Sequence, residues 1–93
     1  MPEPRWKKYV HDISTGDVTI VNRPAVLHAW YCNAAMSAHA VNIQDDTEDS
    51  IVIPASAQVG DFRDFDEVTF DISLKLDVNA SGTGTVVIFY REK

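Results

Sequence analysis

Val68-Thr69-Phe70-Asp71-Ile72-Ser73-Leu74-Lys75-Leu76-Asp77-Val78 alternates apolar and polar side chains without exception over eleven residues. A helix would put these apolar residues all round its surface. A β-strand puts Val68, Phe70, Ile72, Leu74, Leu76 and Val78 on one face and their polar neighbours on the other. The stretch therefore reads as the strand layer of a sheet with one buried and one wet face. Eleven residues exceed the usual strand length, so either one long strand or two shorter strands joined by a bend is expected. Val68, Phe70, Leu74, Leu76, Ile43, Leu27 and Ile88 are the expected core.

Outward from this stretch the period remains two. Trp6–Ile13, Val18–Val21, Ala25–Cys32, Ala38–Gln44, Ser50–Ile53 and Thr85–Arg91 read as further strands. Gly, Pro, Asn and Asp punctuate them at 15–17, 22–24, 33–35, 45–49 and 79–84. Ser56–Gly60 is the one candidate helical turn, and Asp61–Glu67 reads as a loop. Seven to eight short strands at this spacing predict a single all-β domain, an antiparallel β-sandwich or small barrel. Residues 1–8, with Pro2 and Pro4, suggest an extended N-terminal arm carrying Arg5, Lys7 and Lys8.

A chain of 93 residues has one thin core. Its single cysteine, Cys32, excludes an internal disulfide and a cysteine-based zinc site. No apolar run reaches the length of a membrane-spanning helix, and no apolar segment follows the charged N-terminus, so cytoplasmic synthesis is expected. The net charge is −6. From Asp45 to Asp71 there are nine acids against Arg63 alone, while each flank sums to +1. Nucleic-acid binding needs a basic stripe, and this distribution is its opposite.

The residues that could carry chemistry do not assemble into a site. His11, His28 and His39 fall in three predicted strands without metal-ligand spacing. Asp45-Asp46-Thr47-Glu48-Asp49 offers oxygen ligands but lacks the glycine and distal glutamate of a helix-loop-helix calcium loop, and reads as a solvated hairpin tip. His28 and Cys32 stand roughly 13 Å apart along a strand, too far for a nucleophile and its base. Ser81-Gly82-Thr83-Gly84 precedes a strand rather than a helix, so it reads as a hairpin turn and not a phosphate cradle. No enzyme activity, cofactor or metal is expected.

Two strands are apolar on both faces. Val86, Ile88 and Tyr90 oppose Val87 and Phe89, and Val26, Trp30 and Cys32 oppose Leu27 and Tyr31. The second face needs cover from a loop of the same chain or from another subunit. Trp30, Tyr31, Phe62, Phe65, Val87 and Phe89 are therefore candidate interface residues, with Arg5, Lys7 and Lys8 reaching toward a neighbour's acidic 45–67 region. Self-association as a ring, a trimer first, is the expectation.

Arg23-Pro24-Ala25-Val26-Leu27-His28, Asn33-Ala34-Ala35, Ile43-Gln44-Asp45, Ile51-Val52-Ile53-Pro54 and Gly84-Thr85-Val86-Val87-Ile88-Phe89-Tyr90 together resemble the small all-β structural proteins of tailed bacteriophages. The resemblance covers residues 20–91. It departs at Asp71-Ile72-Ser73-Leu74, where such chains carry Gly-Leu, and at the acidic Asp61–Glu67 segment. It implies a jelly-roll or Greek-key sandwich and a virion component, such as a head-decoration protein or a head or tail attachment, that binds itself and the major capsid protein. The alternative is a carbohydrate- or host-surface-binding module in which Trp6, Tyr9, Trp30 and Tyr31 stack on sugar rings.

Overall fold

The computed structural model describes residues 6–93, so Arg5 and the first half of the expected arm lie outside the described residues. Eight strands form: β1 (Lys7–Asp12), β2 (Val18–Val21), β3 (Ala25–Ala34), β4 (Val41–Asp45), β5 (Glu48–Ile53), β6 (Phe62–Phe70), β7 (Leu74–Asp77) and β8 (Thr85–Glu92). They make two antiparallel four-stranded sheets, ordered β1-β8-β3-β6 and β2-β7-β4-β5. Strand β1 pairs with β8, β2 with β7, β3 with β6 and β4 with β5. The chain is thus a long hairpin with its tip between β4 and β5, rolled so that successive paired segments alternate between sheets. This is the jelly-roll sandwich.

The core lies between the sheets. Leu27, Ile43, Phe70, Leu74, Leu76 and Ile88 are at most 1% exposed, as expected, and Val68 is half-buried against them. The eleven-residue alternation divides into two strands. Phe70 ends β6 in one sheet and Leu74 begins β7 in the other, and Ile72 between them is 57% exposed. Asp45 holds this corner: its carboxylate accepts hydrogen bonds from the backbone N–H groups of Asp71 (2.8 Å), Ile72 (2.9 Å) and Ser73 (3.2 Å). Asp46 N–H donates in turn to the hydroxyl of buried Ser73. The alternation runs unbroken through a corner because the corner's donors are satisfied by a side chain from the β4–β5 tip.

Other sequence expectations change in the fold. Residues 62–65 belong to β6, and their pattern of Phe62 and Asp64 against Arg63 and Phe65 is strand alternation masked by acids. Ser56–Gly60 forms turns, and the one helical element among the described residues is a 3₁₀ turn at Ile13–Thr15. Residues 78–84 do not close a hairpin, since β7 and β8 lie in different sheets. Gly84 is required there: its φ is +119°, and a Cβ would meet the Ala35 carbonyl oxygen and the Met36 Cα at 2.9 Å. His39 lies in the β3–β4 connection rather than in a strand. Lys7 and Lys8 belong to β1 and not to an arm.

The largest correction concerns β3. Leu27 pairs with Tyr90 and Ala29 with Phe89, so His28 is an extra residue against β8. Against β6 the excess is on the other side: Leu27 pairs with Val68 and Ala29 with Asp64, which extrudes Phe65–Glu67, with Asp66 at φ +65°. The bulge reverses the faces within one strand. Ala25 and Leu27 point inward before it, and Trp30 and Cys32 point inward after it, all within the inter-sheet cluster. Trp30 and Leu27 therefore share a face.

Replacing Leu74 or Leu76 by alanine is expected to cost about 2–5 kcal/mol in denaturant unfolding, because both are enclosed between the sheets. Asp45→Asn is expected to cost about 1 kcal/mol at neutral pH, the charged hydrogen bonds being discounted for partial exposure. Burial raises the Asp45 pKa, but the N–H groups of Asp71, Ile72 and Ser73 lower it further, and the net displacement is downward. A depressed folded-state pKa contributes stability that is complete above the unfolded value of about 3.9 and lost as pH falls through the folded value. The stability gap between wild type and Asp45→Asn should accordingly close below about pH 3.9. Urea titrations at a series of pH values check this.

Candidate interaction surface

The outward face of the β1-β8-β3-β6 sheet collects what the sequence scattered. Val10 pairs with Val87, Val87 with Tyr31 and Tyr31 with Phe62. These four side chains form one apolar row across all four strands, about 14 Å wide at three strand spacings. Its ends, Val10 and Phe62, are 54% and 55% exposed. Tyr31 is half-buried, and Val87 is covered by its neighbours. The next row reads Lys8, Phe89, Ala29 and Asp64 by the same pairings. It has a cation at the β1 edge, an acid at the β6 edge, and a large aromatic beside a methyl group in between.

Toward the opposite end of the sheet the same chain supplies cover. The Trp6 ring stacks on His28, with centroids 4.3 Å apart and planes inclined by 11°. The Arg91 guanidinium lies 5.3 Å from the Trp6 centroid. Beside this stack Val26 is buried, although it is not part of the inter-sheet core. His28 is fixed from the other side, its Nδ1–H donating to the Asp66 carbonyl at 2.7 Å with the Asp64 carboxylate 3.8 Å away. A face apolar on both sides is thus half roofed by Trp6 and half open along the Val10–Phe62 row.

Of the candidate interface residues, Tyr31, Phe62, Val87 and Phe89 share this open face, with Lys8 at its margin. Trp30 and Phe65 do not. Trp30 is 6% exposed inside the sandwich, and Phe65 is half-buried against the core with the Arg63 guanidinium 5.6 Å from its ring centroid. Trp30 turns inward because of the bulge at His28, and Phe65 by alternation from the outward Phe62. Lys7 points away from the open face, and its ammonium contacts the Glu92 carboxylate at 2.9 Å. That hydrogen bond raises the Lys7 pKa, and Lys7 followed by Arg23 lowers that of Glu92. Val10 escaped the sequence reading. Between Lys8 and Asp12 it looks like a solitary surface valine, and only the strand pairing places it in the row.

The remaining chemical candidates stay apart. His11 is buried and its Nε2–H donates to the Gly16 carbonyl at 2.7 Å, while His39 Nδ1 lies 2.9 Å from the Ser37 hydroxyl. Each histidine holds a different segment, and no group of three His, Cys, Asp or Glu suited to a metal occurs among the described residues. Cys32 is buried, its thiol donates to the Ala34 carbonyl, and burial pushes its pKa up, away from a reactive thiolate. Tyr9 packs on the core, Trp30 lies inside the sandwich and Tyr31 faces out, so the aromatics proposed for sugar stacking do not line one groove. Two hollows lie away from this face. One of ≈ 220 Å³ lies between Trp30, Phe65, Arg63, Ile51, Val52 and Pro54. A polar one of ≈ 340 Å³ lies among Asp17, Thr19, Gln44, Asp46, Lys75 and Asp77.

Since the Asp45 oxygens are engaged by three N–H groups, chelation is expected to leave the melting temperature unchanged. A fall of several degrees with a chelator, reversed by calcium or zinc, would show that the acidic tip ligates a cation.

No family model, curated protein or solved structure matches the chain.

Proposed function

We propose that the chain is a non-enzymatic structural protein of a bacteriophage virion, a capsid-decorating sandwich that associates with itself and with the capsid lattice. The observation that carries this reading is the apolar row Val10–Val87–Tyr31–Phe62, exposed at both ends and in part at Tyr31, on a broad sheet face. A rigid face with exposed aromatic and aliphatic side chains, rimmed by charge, suits protein–protein contact. The histidines and the cysteine serve the fold, each hydrogen-bonded within it. The motif resemblance over residues 20–91 supplies the virion context. The jelly roll is compatible with it and with other functions.

Decoration also explains why a small chain would carry such a face. Each subunit makes a modest contact, and repeated contacts on a symmetric lattice raise the overall affinity. Mass spectrometry of purified particles is the direct test. The chain should be present at a copy number comparable to that of the major capsid protein. Its absence from washed particles would overturn the reading.

A further inference from the structure

We infer that the open face of the β1-β8-β3-β6 sheet is an isologous dimer interface, in which a second copy of this chain packs face to face about a two-fold axis running roughly along the strands. The inference rests on the self-association in the proposed function and specifies its geometry, replacing the expected ring.

The argument is one of register. Rotation about an axis along the strands and midway between β8 and β3 keeps each row at its own level and reverses the strand order. β1 of one copy then lies over β6 of the other, and β8 over β3. In the first row the exposed Val10 meets Phe62 of the partner subunit, an aliphatic side chain covering an aromatic one, and the half-buried Tyr31 lies near the axis beside Val87, which its own chain already covers. In the second row Ala29 is already fully buried within its own chain, so the half-buried Phe89 is the apolar side chain this row presents. At the margins Lys8 meets the partner's Asp64. Both are exposed, Asp64 at 51% of its side chain. The exposed ends of both rows are complementary under the same operation, aliphatic to aromatic in the first and cation to acid in the second. A ring built by joining the β1 edge to a neighbour's β6 edge would also bring Lys8 near Asp64, but it would leave the outward faces of Val10 and Phe62 in water. The face-to-face arrangement covers Val10 and Phe62 and pairs the charges together.

Cross-linking tests this. Within one chain Val10 and Phe62 are three strands apart, about 14 Å, beyond the reach of a disulfide. Across the proposed two-fold they are opposed. The double variant Val10→Cys/Phe62→Cys should yield a covalent dimer on mild oxidation, with no higher species, and neither single variant should. Cys32 is fully buried and does not compete. Sedimentation of the unmodified chain should show a monomer–dimer equilibrium in the micromolar to millimolar range, and Lys8→Glu should weaken it roughly tenfold by setting two like-charged pairs against each other. Covalent chains longer than two, a trimer in sedimentation, or a dimer that fails to cross-link would overturn the two-fold face and leave self-association standing. A monomer throughout that range would overturn both, with thermal melting confirming that each variant is folded.

Discussion

The Asp45 carboxylate braces the roll at one of its two three-residue crossings between sheets. A hairpin long enough to form eight strands must bend sharply to bring its arms into two sheets, and each bend strands backbone donors near the core. At 71–73 only three residues separate β6 from β7, and all three N–H groups converge on one side chain from the tip of the same hairpin. The Asp46 N–H returns a bond to Ser73, so tip and corner lock each other. The opposite end relies mainly on backbone: Ile13 donates to Gly84, Met36 to Ala57, Ser37 to Thr83 and Ser56 to Ser37, with the Ser37 hydroxyl accepting from the Thr83 N–H. There the connections are long enough to pair among themselves, and glycine at 84 lets them approach.

The fold class was legible because period-two patterning is a property of single strands. The register was not, because it is a property of pairs. Strict alternation through Ala25–Cys32 sets Leu27 against Trp30, and one bulged residue, His28, cancels that assignment. The signal for the bulge is visible only in hindsight, as a histidine in an otherwise apolar run whose extra length is taken up by Asp66 in the left-handed region. The same limit explains the interface residues. Tyr31, Phe62, Val87 and Phe89 could be named from their excess over one face's needs, whereas Val10 could be placed only by its partner Val87. The acids around Phe62 and Phe65 disguised a strand as a loop because charge on an exposed edge mimics the composition of a turn.

The His28 bulge also links fold to surface. By turning Trp30 into the core it leaves Ala29 and Tyr31 facing out, a small residue and a large one on successive rows. It places the His28 ring where Trp6 can stack on it. Without the bulge, Trp30 would lie on the outer face and Ala29 in the core, exchanging the largest side chain of the strand for one of the smallest on both surfaces. One inserted residue therefore fills the sandwich and shapes the outer face together.

The distribution of charge follows from what the sheet edges must avoid. Every jelly roll leaves four edge strands with unpaired backbone groups, and such edges invite uncontrolled strand addition. Here β2 is four residues long with a register shift, β5 begins with Glu48 and Asp49, and β6 carries Asp64, Asp66 and Glu67 around a bulge. β1 carries Lys7 and Lys8. The acidic block that dominates the sequence is thus largely edge protection, and it falls on β5 and β6 because these two strands are consecutive in the chain and each borders its sheet. Edges guarded in this way discourage growth by strand pairing. Val10 and Phe62, on the outward face of the two edge strands β1 and β6, stay exposed beside these charges, on a face that strand pairing does not use.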